Sequence, residues 1–288
     1  MLLTRILTAL VLLTILLPAL FAGSAAPLLL LAIVFMAVAA WEWARLNGFS
    51  GTVALATGAL CAVCCIALWW GGAIESTLPW LWIGAALAWV LGGGWLLARG
   101  VAAWPRLPRT LRWAIGLLLL VTAWLALARA RTLGVNFLLS VLVLVWTADV
   151  FAYFVGRALG GRLTGGRRLA PAISPGKSWE GVAGGMAGTL LLALVWVWID
   201  RSGATESASL YTRLLGAGPT WLVIGTVFLA AMSVVGDLFE SLVKRSAGVK
   251  DSSQLLPGHG GVLDRIDALL PTLPLALMLL AWLEGNAR

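Results

Sequence analysis

Long apolar runs recur along the whole chain, and they set the first limit on its fold. Each run is close to the roughly 20 residues that a helix needs to cross a bilayer. Because a backbone in lipid must satisfy its hydrogen bonds internally, such runs predict helices. The nine runs cover residues 6–22, 27–41, 52–71, 78–98, 111–128, 133–155, 181–199, 219–239 and 263–283. The sequence therefore predicts an all-α polytopic integral membrane helical bundle with about nine transmembrane helices.

The composition supports a lipid environment. Hydrophobic residues make up 61% of the chain and charged residues 11%, whereas soluble domains carry roughly 45–50% and 25%. Short alternating segments, typical of a membrane β-barrel, do not occur. The first run follows Arg5 and resembles a signal peptide, but a second run starts near Pro27 without a polar domain between them. We therefore expect the first helix to be retained. A short second run and acids in two others leave eight or ten spans open.

The positive charges lie between the apolar runs rather than in one soluble module. With a net charge of +8, this distribution favours a membrane surface and phosphate groups as partners, and no nucleic acid is expected. In the nine-span order, 15 of the 20 Lys and Arg residues fall on one side of the membrane. Positive charge marks the cytoplasmic side, so loops 156–180 and 240–262 are predicted to be cytoplasmic. The predicted location is the inner (plasma) membrane, in a multi-pass protein.

The acidic residues divide the chain into two parts. Residues 1–148 contain only Glu42 and Glu75, whereas the remainder contains ten acids. We therefore interpret residues 1–130 as an N-terminal transmembrane scaffold. Residues 131–288 are interpreted as a catalytic transmembrane region with cytoplasmic loops. No linker separates the two parts, so the chain is expected to form one continuous membrane domain.

The most informative polar segment lies between the last two apolar runs and reads SLVKRSAGVKDSSQLLPGHGGVLDRID, from Ser241 to Asp267. It combines four cations, three acids and the chain's single histidine. Cations neutralise phosphate oxygens, and glycine-rich backbone can approach them closely. The residues predicted to do so are Lys244, Arg245, Lys250 and Arg265, with backbone amides around Gly258, Gly260 and Gly261.

Carboxylates flank this segment on two helices. Asp237 lies near the end of the eighth run, with Glu240 and Ser241 on the same helical side. Asp264 and Asp267 are three residues apart, so they share one face of the last helix. Mg²⁺ prefers such oxygen ligands and is usually held by one or two carboxylates plus substrate phosphates. The pattern predicts a magnesium site between the last two spans, with room for a second cation.

These residues resemble the phosphatidate cytidylyltransferase (CDP-diacylglycerol synthase) family. The matching pattern is S-x-x-K-R, four residues, then K-D-x-S-x-x-L-P-x-H-G-G-x-x-D-R-x-D, and it begins at Ser241. Two upstream elements agree with the family as well. They are D-x-x-A-Y-x-x-G, from Asp149 to Gly156, and S-P-x-K-x-x-E, from Ser174 to Glu180. The resemblance is strong from about residue 140 to 275 and generic before residue 130.

The resemblance implies a magnesium-dependent nucleotidyltransferase of phospholipid biosynthesis. Its substrates would be CTP and phosphatidate, and its products CDP-diacylglycerol and pyrophosphate. Catalytic positions would be Lys244, Arg245, Lys250, Asp251, His259, Arg265 and Asp267. Substrate-binding positions would be Asp149, Tyr153, Ser174, Lys177, Glu180, Ser241, Gly260 and Gly261, and the metal ligands Asp237 and Asp264. The sequence leaves the oligomeric state open, a homodimer being one state that it allows.

Other activities remain as alternatives. A cytidylyltransferase acting on another lipid phosphate, such as an isoprenoid ether lipid, would share the same motifs. A CDP-alcohol phosphatidyltransferase would need a D-G-x-x-A-R element, which is absent from the sequence. A transporter or channel would also carry acids within its spans, but it would move solute without consuming CTP.

Three individual residues carry further expectations. His259 alone would be a structural turn residue, but within the motif we expect it to contact phosphate or orient Asp264. Asp149, an acid within a span, is expected to serve the site rather than pair within the bundle. Ser174 is predicted to cap the helix that follows it, with Pro175 in the first turn.

Overall fold

Twelve α-helices and one β-hairpin make up the part of the chain that the computed structural model describes, residues 2–286. The helices before the hairpin are α1 (Leu2–Phe21), α2 (Ala26–Leu46), α3 (Gly51–Trp70), α4 (Pro79–Leu87), α5 (Gly94–Arg99), α6 (Arg109–Leu133) and α7 (Val135–Leu159). The hairpin consists of β1 (Arg168–Ala170) and β2 (Ser174–Ser178). The helices after it are α8 (Trp179–Arg201), α9 (Leu210–Gly216), α10 (Pro219–Ser246), α11 (Leu263–Ile266) and α12 (Leu269–Asn286).

Each of the nine apolar runs is helical, which confirms the predicted polytopic helical bundle. Eight helical segments are long and apolar enough to cross a membrane, and the apolar part of α1, Ile6–Phe21, is shorter. The eight are Ala26–Leu46, Gly51–Trp70, Pro79–Arg99, Arg109–Leu133, Val135–Leu159, Trp179–Arg201, Pro219–Ser246 and Leu263–Gly285. The third of them, Pro79–Arg99, joins α4 to α5 through a π-helical stretch, Ala88–Gly93.

Hydrogen bonds from helix side chains to loop carbonyls identify the two ends of the bundle. At one end, Thr8 of α1 donates to the carbonyl of Pro257, and Arg245 donates to the carbonyl of Ile173. At the other end, Arg131 donates to the carbonyl of Ala22. Helix α1 therefore runs from one end of the bundle to the other, as a spanning helix does. The end that contains Pro257 and Ile173 also holds the polar motifs, and we call it the motif end.

Helices α7 and α8 pack closely because α8 presents glycines to its neighbour. A side chain at Gly181 would meet the carbonyl oxygen of Ala152, and one at Gly185 would meet that of Ala148. Further along α8, Gly188 leaves room for the ring of Phe151. This close approach fixes the hairpin that precedes α8 against the end of α7, which carries Asp149.

The segment before α8 differs from the prediction. Ser174 does not cap a helix, because it pairs with Ala170 at the start of β2. The residue that caps α8 is Ser178, whose side chain accepts a hydrogen bond from the amide of Gly181 at 3.1 Å. Pro175 therefore lies in an edge strand, where its missing N–H is tolerated, rather than in a first helical turn.

Helix α10 also extends further than its apolar run. The run ends at residue 239, but the helix continues to Ser246. An apolar run marks only the part of a helix that lies in lipid. The helical backbone hydrogen bonds can continue beyond the point where the chain leaves the lipid. Lys244 and Arg245, which fall in the predicted loop 240–262, are therefore fixed on a helix, and Glu240 and Ser241 continue the helix of Asp237 as expected.

Candidate active site at the motif end

A cleft of about 660 Å³ opens between α7, the hairpin, α8 and α10. Four of the residues predicted for substrate or metal line it: Asp149 and Tyr153 of α7, Lys177 of β2 and Asp237 of α10. Arg157 and Arg168 add positive charge to its wall, and Arg157 donates to the hydroxyl of Tyr153 at 2.9 Å. The cleft can therefore receive an anionic group.

An ion pair crosses this cleft from the hairpin to α10. The ammonium group of Lys177 lies 2.5 Å from the Asp237 carboxylate, and the two side chains are 25% and 29% exposed. The Ser241 hydroxyl donates to the same carboxylate at 3.3 Å. The prediction that Asp237 and Ser241 share one face of the helix is thus confirmed. Because both charges remain accessible, an anionic substrate can compete for Lys177.

A second, more buried ion cluster lies one turn further along α10. Lys244 contacts Glu240 and Asp264, in each case at 2.5 Å. The Lys244 side chain is only 11% exposed, and those of Glu240 and Asp264 are 1% and 6% exposed. Lys244 therefore neutralises two acids inside the protein, which favours a role in holding α10 to α11 over direct capture of phosphate from solvent.

Backbone and hydroxyl groups of the loop before α11 hold Asp264 in place. Its Oδ2 atom accepts hydrogen bonds from the amide of Gly261 at 2.7 Å and from the amide and hydroxyl of Ser252, both at 3.0 Å. Charge-assisted bonds of this kind are stronger than neutral ones. The amide of Gly261, predicted to approach phosphate, is consequently engaged by a carboxylate.

A second cleft, of about 770 Å³, lies over the same loop. It brings together six residues predicted from the sequence, which are Lys250, Asp251, Gly258, His259, Gly260 and Arg265. The amide of His259 donates to the carbonyl of Leu256 at 2.8 Å. Among the described residues, the Nδ1 atom of His259 has no hydrogen-bond partner. The backbone of His259 thus takes the turn position of the simpler interpretation, while its Nδ1 atom is buried.

Charges connect the two clefts. Asp149 is close enough to Asp237 for repulsion, and close enough to Lys177 and Arg265 for attraction. Asp267 is in turn repelled by Asp237 and Asp149. The groups that interact in this way include five carboxylates and three cations, in addition to Arg157, Arg168, Lys250 and Asp251 on the walls of the clefts. The carboxylates are Asp149, Asp237, Glu240, Asp264 and Asp267, and the cations are Lys177, Lys244 and Arg265.

The repulsion among these carboxylates suits a divalent cation, because its positive charge would offset that repulsion. Within residues 2–286, however, no group of three or more His, Cys, Asp or Glu side chains forms a ready-made metal cage. The residues present fit a magnesium ion held by one or two carboxylates, with substrate phosphates and water supplying the other ligands.

Eight predicted site residues line neither cleft: Ser174, Glu180, Ser241, Lys244, Arg245, Gly261, Asp264 and Asp267. Three of these make contacts with other parts of the protein. Glu180 is buried, and it accepts hydrogen bonds from the amides of Leu163 and Thr164 and from the Thr164 hydroxyl. Arg245 donates to the carbonyls of Ile173 and Val249. Ser174 pairs within the hairpin. Any direct contact of these residues with substrate stays a prediction.

Glu42 of α2 is a contributor that the sequence-based prediction missed. Its carboxylate accepts hydrogen bonds from Ser252 and Ser253 and from the amides of Val262 and Leu263. One signal could have found it, because an acid within a membrane span is a functional candidate by default. Assigning the first part of the chain to a scaffold led us away from it.

The fold and the site together define a multi-pass membrane protein with two cation-lined clefts at one end of its helical bundle. The model of the cytidylyltransferase family matches residues 3–283. A phosphatidate cytidylyltransferase of Pseudomonas aeruginosa is 41% identical, over 99% of this chain and 98% of that protein. Proteins of the same name from Haemophilus influenzae and Bacillus subtilis are 48% and 38% identical, over 49% and 51% of this chain. The chain belongs to the cytidylyltransferase family.

Proposed function

We propose that this protein is a phosphatidate cytidylyltransferase, which transfers CMP from CTP to phosphatidate and releases pyrophosphate. The observation that carries the proposal is the convergence of the Lys177–Asp237 and Lys244–Asp264 pairs at one end of a membrane bundle, flanked by two cation-lined clefts. The match to the Pseudomonas aeruginosa protein, over nearly its whole length, supports the same activity.

In the proposed reaction, a phosphate oxygen of phosphatidate attacks the α-phosphorus of CTP. A new P–O bond forms, the bond from the α-phosphorus to the oxygen of the β-phosphate breaks, and pyrophosphate leaves with that electron pair. A phosphate monoester is already anionic, so no protein base is required. Catalysis of phosphoryl transfer rests mainly on positioning and charge neutralisation, and both clefts carry the cations for this.

The triphosphate of CTP is proposed to bind in the cleft between α7, the hairpin and α10. Lys177 is its most accessible ammonium group, and Arg157 and Arg168 stand on the same wall. Lys177 would exchange part of its contact with Asp237 for phosphate oxygens. Lys250 and Arg265, which line the second cleft, would then bind phosphate on the other side of the carboxylates.

Magnesium dependence belongs to the same proposal. Asp237 and Asp264 would hold the ion, which when bound would neutralise charge on phosphate oxygens and on the leaving pyrophosphate. Ser241 and Lys177 keep the Asp237 carboxylate oriented, and Ser252 and Gly261 do the same for Asp264. The number of carboxylates nearby leaves room for a second cation.

An apolar cavity of about 260 Å³ provides a place for part of the lipid. It lies among α1, α2, α6, α7 and α12, and Leu12, Phe35 and Trp146 are among its lining residues. Leu256 and Arg265 line both this cavity and the second cleft. We propose that an acyl chain enters the cavity from the bilayer while Arg265 contacts the lipid phosphate. The motif end would face the cytoplasm, where CTP is available, with the protein in the inner membrane.

One assay tests the proposal and its alternatives. The purified protein in detergent is given phosphatidate and magnesium with each of CTP, ATP, GTP and UTP in turn. We expect CDP-diacylglycerol and pyrophosphate in equal amounts with CTP alone, and no activity once magnesium is chelated. Preference for an isoprenoid ether lipid phosphate in competition would identify the other cytidylyltransferase. Solute flux into proteoliposomes without CTP consumption would contradict the proposal altogether.

A further inference from the structure

Glu42 is a buried acid in the first half of the chain. All its hydrogen bonds come from the loop 250–262, which we call the motif loop, and from the first residue of α11. Its side chain is 0% exposed. One carboxylate oxygen accepts from the Ser253 hydroxyl at 2.5 Å and from the amide of Val262 at 3.0 Å. The other accepts from the Ser252 hydroxyl at 3.1 Å and from the amide of Leu263 at 2.7 Å. Both oxygens are therefore fully committed to one loop.

The burial of Glu42 is not offset by an ion pair among the described side chains, since no described Lys or Arg lies within salt-bridge distance of it. An unpaired carboxylate away from water is costly unless hydrogen bonds replace its hydration. The four donors of the loop supply that replacement, so the carboxylate and the loop stabilise each other. The loop conformation seen here thus depends on a group far away in the sequence.

The contacts of Glu42 close the loop at both ends. Ser252 and Ser253 lie where the loop starts, while Val262 and Leu263 lead directly into the helix that carries Asp264. Ser252 reaches Asp264 as well, because its hydroxyl lies 3.0 Å from Oδ2 of that residue. A hydroxyl has a single hydrogen, so Ser252 donates to one of the two carboxylates at a time. Glu42 and Asp264 are therefore joined through Ser252.

Gly261 explains why the loop can approach so closely. A side chain at this position would overlap the Ser252 hydroxyl and the Glu42 carboxylate. The amide of Gly261 donates to Asp264 at 2.7 Å. The glycine thus lets one residue's backbone fit between two carboxylates, and no larger residue could do so without moving one of them.

We propose that Glu42 is a positioning residue for the transferase reaction, which fixes the loop 250–262 and thereby the orientation of Asp264. It does so from α2, without touching either cleft. This inference rests on the proposed function for its kinetic consequence. Residues that orient a ligand or a reactive carboxylate typically affect activity by about 10–100-fold when they are lost.

The direct test is Glu42→Gln in the full-length protein. An amide offers one accepting oxygen and two donors, so at least two loop donors would lose their partner. We expect kcat to fall at least about tenfold, while KM for CTP stays within about twofold because the contacts of Lys177 and Asp237 are unchanged. Hydrogen–deuterium exchange should accelerate at the amides of residues 250–263 and not in α7 or α8. Glu75→Gln is the matched control, because Glu75 is an exposed acid at the opposite end.

Ser252→Ala and Ser253→Ala keep the test decisive if Glu42→Gln does not fold. Each removes one hydroxyl partner and leaves the buried carboxylate in place. Lower kcat and faster loop exchange in folded serine variants support the proposal. Wild-type kcat and exchange in folded Glu42→Gln, or in both serine variants, would overturn it. If the wild-type protein makes no CDP-diacylglycerol, the proposed function fails, whereas the exchange measurement still decides whether Glu42 holds the loop.

Discussion

Asp237 and Asp264, the two residues predicted to bind metal, differ in burial and in the number of their hydrogen-bond partners. Their substitution should therefore affect stability differently. Among the described residues, Asp237 has Lys177 and Ser241 as its side-chain partners, and it is 29% exposed. Asp264 is 6% exposed and accepts bonds from the loop in addition to Lys244. A carboxylate with buried donors contributes to stability as well as to any reaction, because its loss leaves those donors and a lysine unsatisfied.

We therefore predict that Asp237→Asn and Asp264→Asn both lose at least about 100-fold in kcat, the scale seen when a charge-stabilising group is removed. Only Asp264→Asn should also lower the free energy of unfolding, by about 2 kcal/mol. Turnover and thermal unfolding in detergent, measured on the same preparations, check both parts. Wild-type turnover of either variant at limiting magnesium would show that the metal ligands lie elsewhere.

Lys250 and Arg106 are exposed cations at the same end of the bundle, but only Lys250 lines the second cleft. A charge-assisted contact to phosphate is worth about 1.5–3 kcal/mol, whereas a basic residue at the lipid surface contributes about 1 kcal/mol that salt screens. Lys250→Ala should thus lose more than about tenfold in kcat/KM at every ionic strength. Arg106→Ala should lose little, and less still at high salt. If both variants lose kcat/KM equally, and if the losses shrink as salt is raised, Lys250 acts as a surface charge and not as a phosphate ligand.

At the residue scale, the sequence predicted site residues that share a motif and missed those that do not. Asp149, Lys177 and Asp237 were predicted, and all three line one cleft. Glu42 was missed because its partner Ser252 lies 210 residues away. Spacing within a motif indicates which side chains share a helix face, but no local pattern indicates which distant helix supplies the acceptor for a loop.

At the scale of elements, the nine apolar runs were predictable because a bilayer imposes both length and apolarity on every helix. The hairpin was not. Its strand β2 contains Pro175 and Gly176, residues that are depleted in strands and typical of turns. What makes it a strand is pairing with β1 and packing against α8, which no periodicity reports. The π-helical stretch Ala88–Gly93 is likewise a feature of packing, since Trp89 and Gly93 face α10.

One polar network ties together the elements at the end of the bundle opposite the site. Asp200, at the end of α8, accepts hydrogen bonds from Asn136, Thr205, Thr212 and the amide of Ser209. These partners lie at the start of α7, in the connection between α8 and α9, and in the first turn of α9. The network thus serves the fold and has no contact with either cleft.

We predict that Asp200→Ala destabilises the protein by about 2 kcal/mol, because four donors lose a partly buried acceptor. The kcat of the folded fraction should stay within about twofold of the wild-type value, since the altered group lies at the far end of the bundle. Thermal unfolding and turnover per folded molecule are the two measurements. Glu206→Ala, an exposed acid in the same connection, serves as the control. A lower kcat with an unchanged free energy of unfolding would contradict the prediction that Asp200 stabilises the fold without affecting the site.

At the scale of the whole molecule, the predicted division into a scaffold and a catalytic region describes where the motifs lie more than how the site is built. Helix α2 reaches the motif loop through Glu42, and α1 reaches it through Thr8. The apolar cavity is also lined by α1 and α2 together with α7 and α12. The first helices thus contribute to the walls of the site, so truncation to residues 131–288 should not leave an active enzyme.

The orientation of the bundle in the membrane can be tested by labelling one residue at each of its ends. Gln254 and Glu206 are exposed residues at opposite ends of the bundle, the first in the motif loop and the second between α8 and α9. Because 15 of the 20 Lys and Arg residues are on the motif side in the nine-span order, that side should be cytoplasmic. In a background without Cys61, Cys64 and Cys65, we expect an impermeant maleimide to label Gln254→Cys only in inside-out vesicles. Glu206→Cys should be labelled only in intact spheroplasts. The reverse pattern would place both clefts on the outer face, away from cytoplasmic CTP, and would remove the proposed route of the nucleotide even if the transfer reaction itself were observed in detergent.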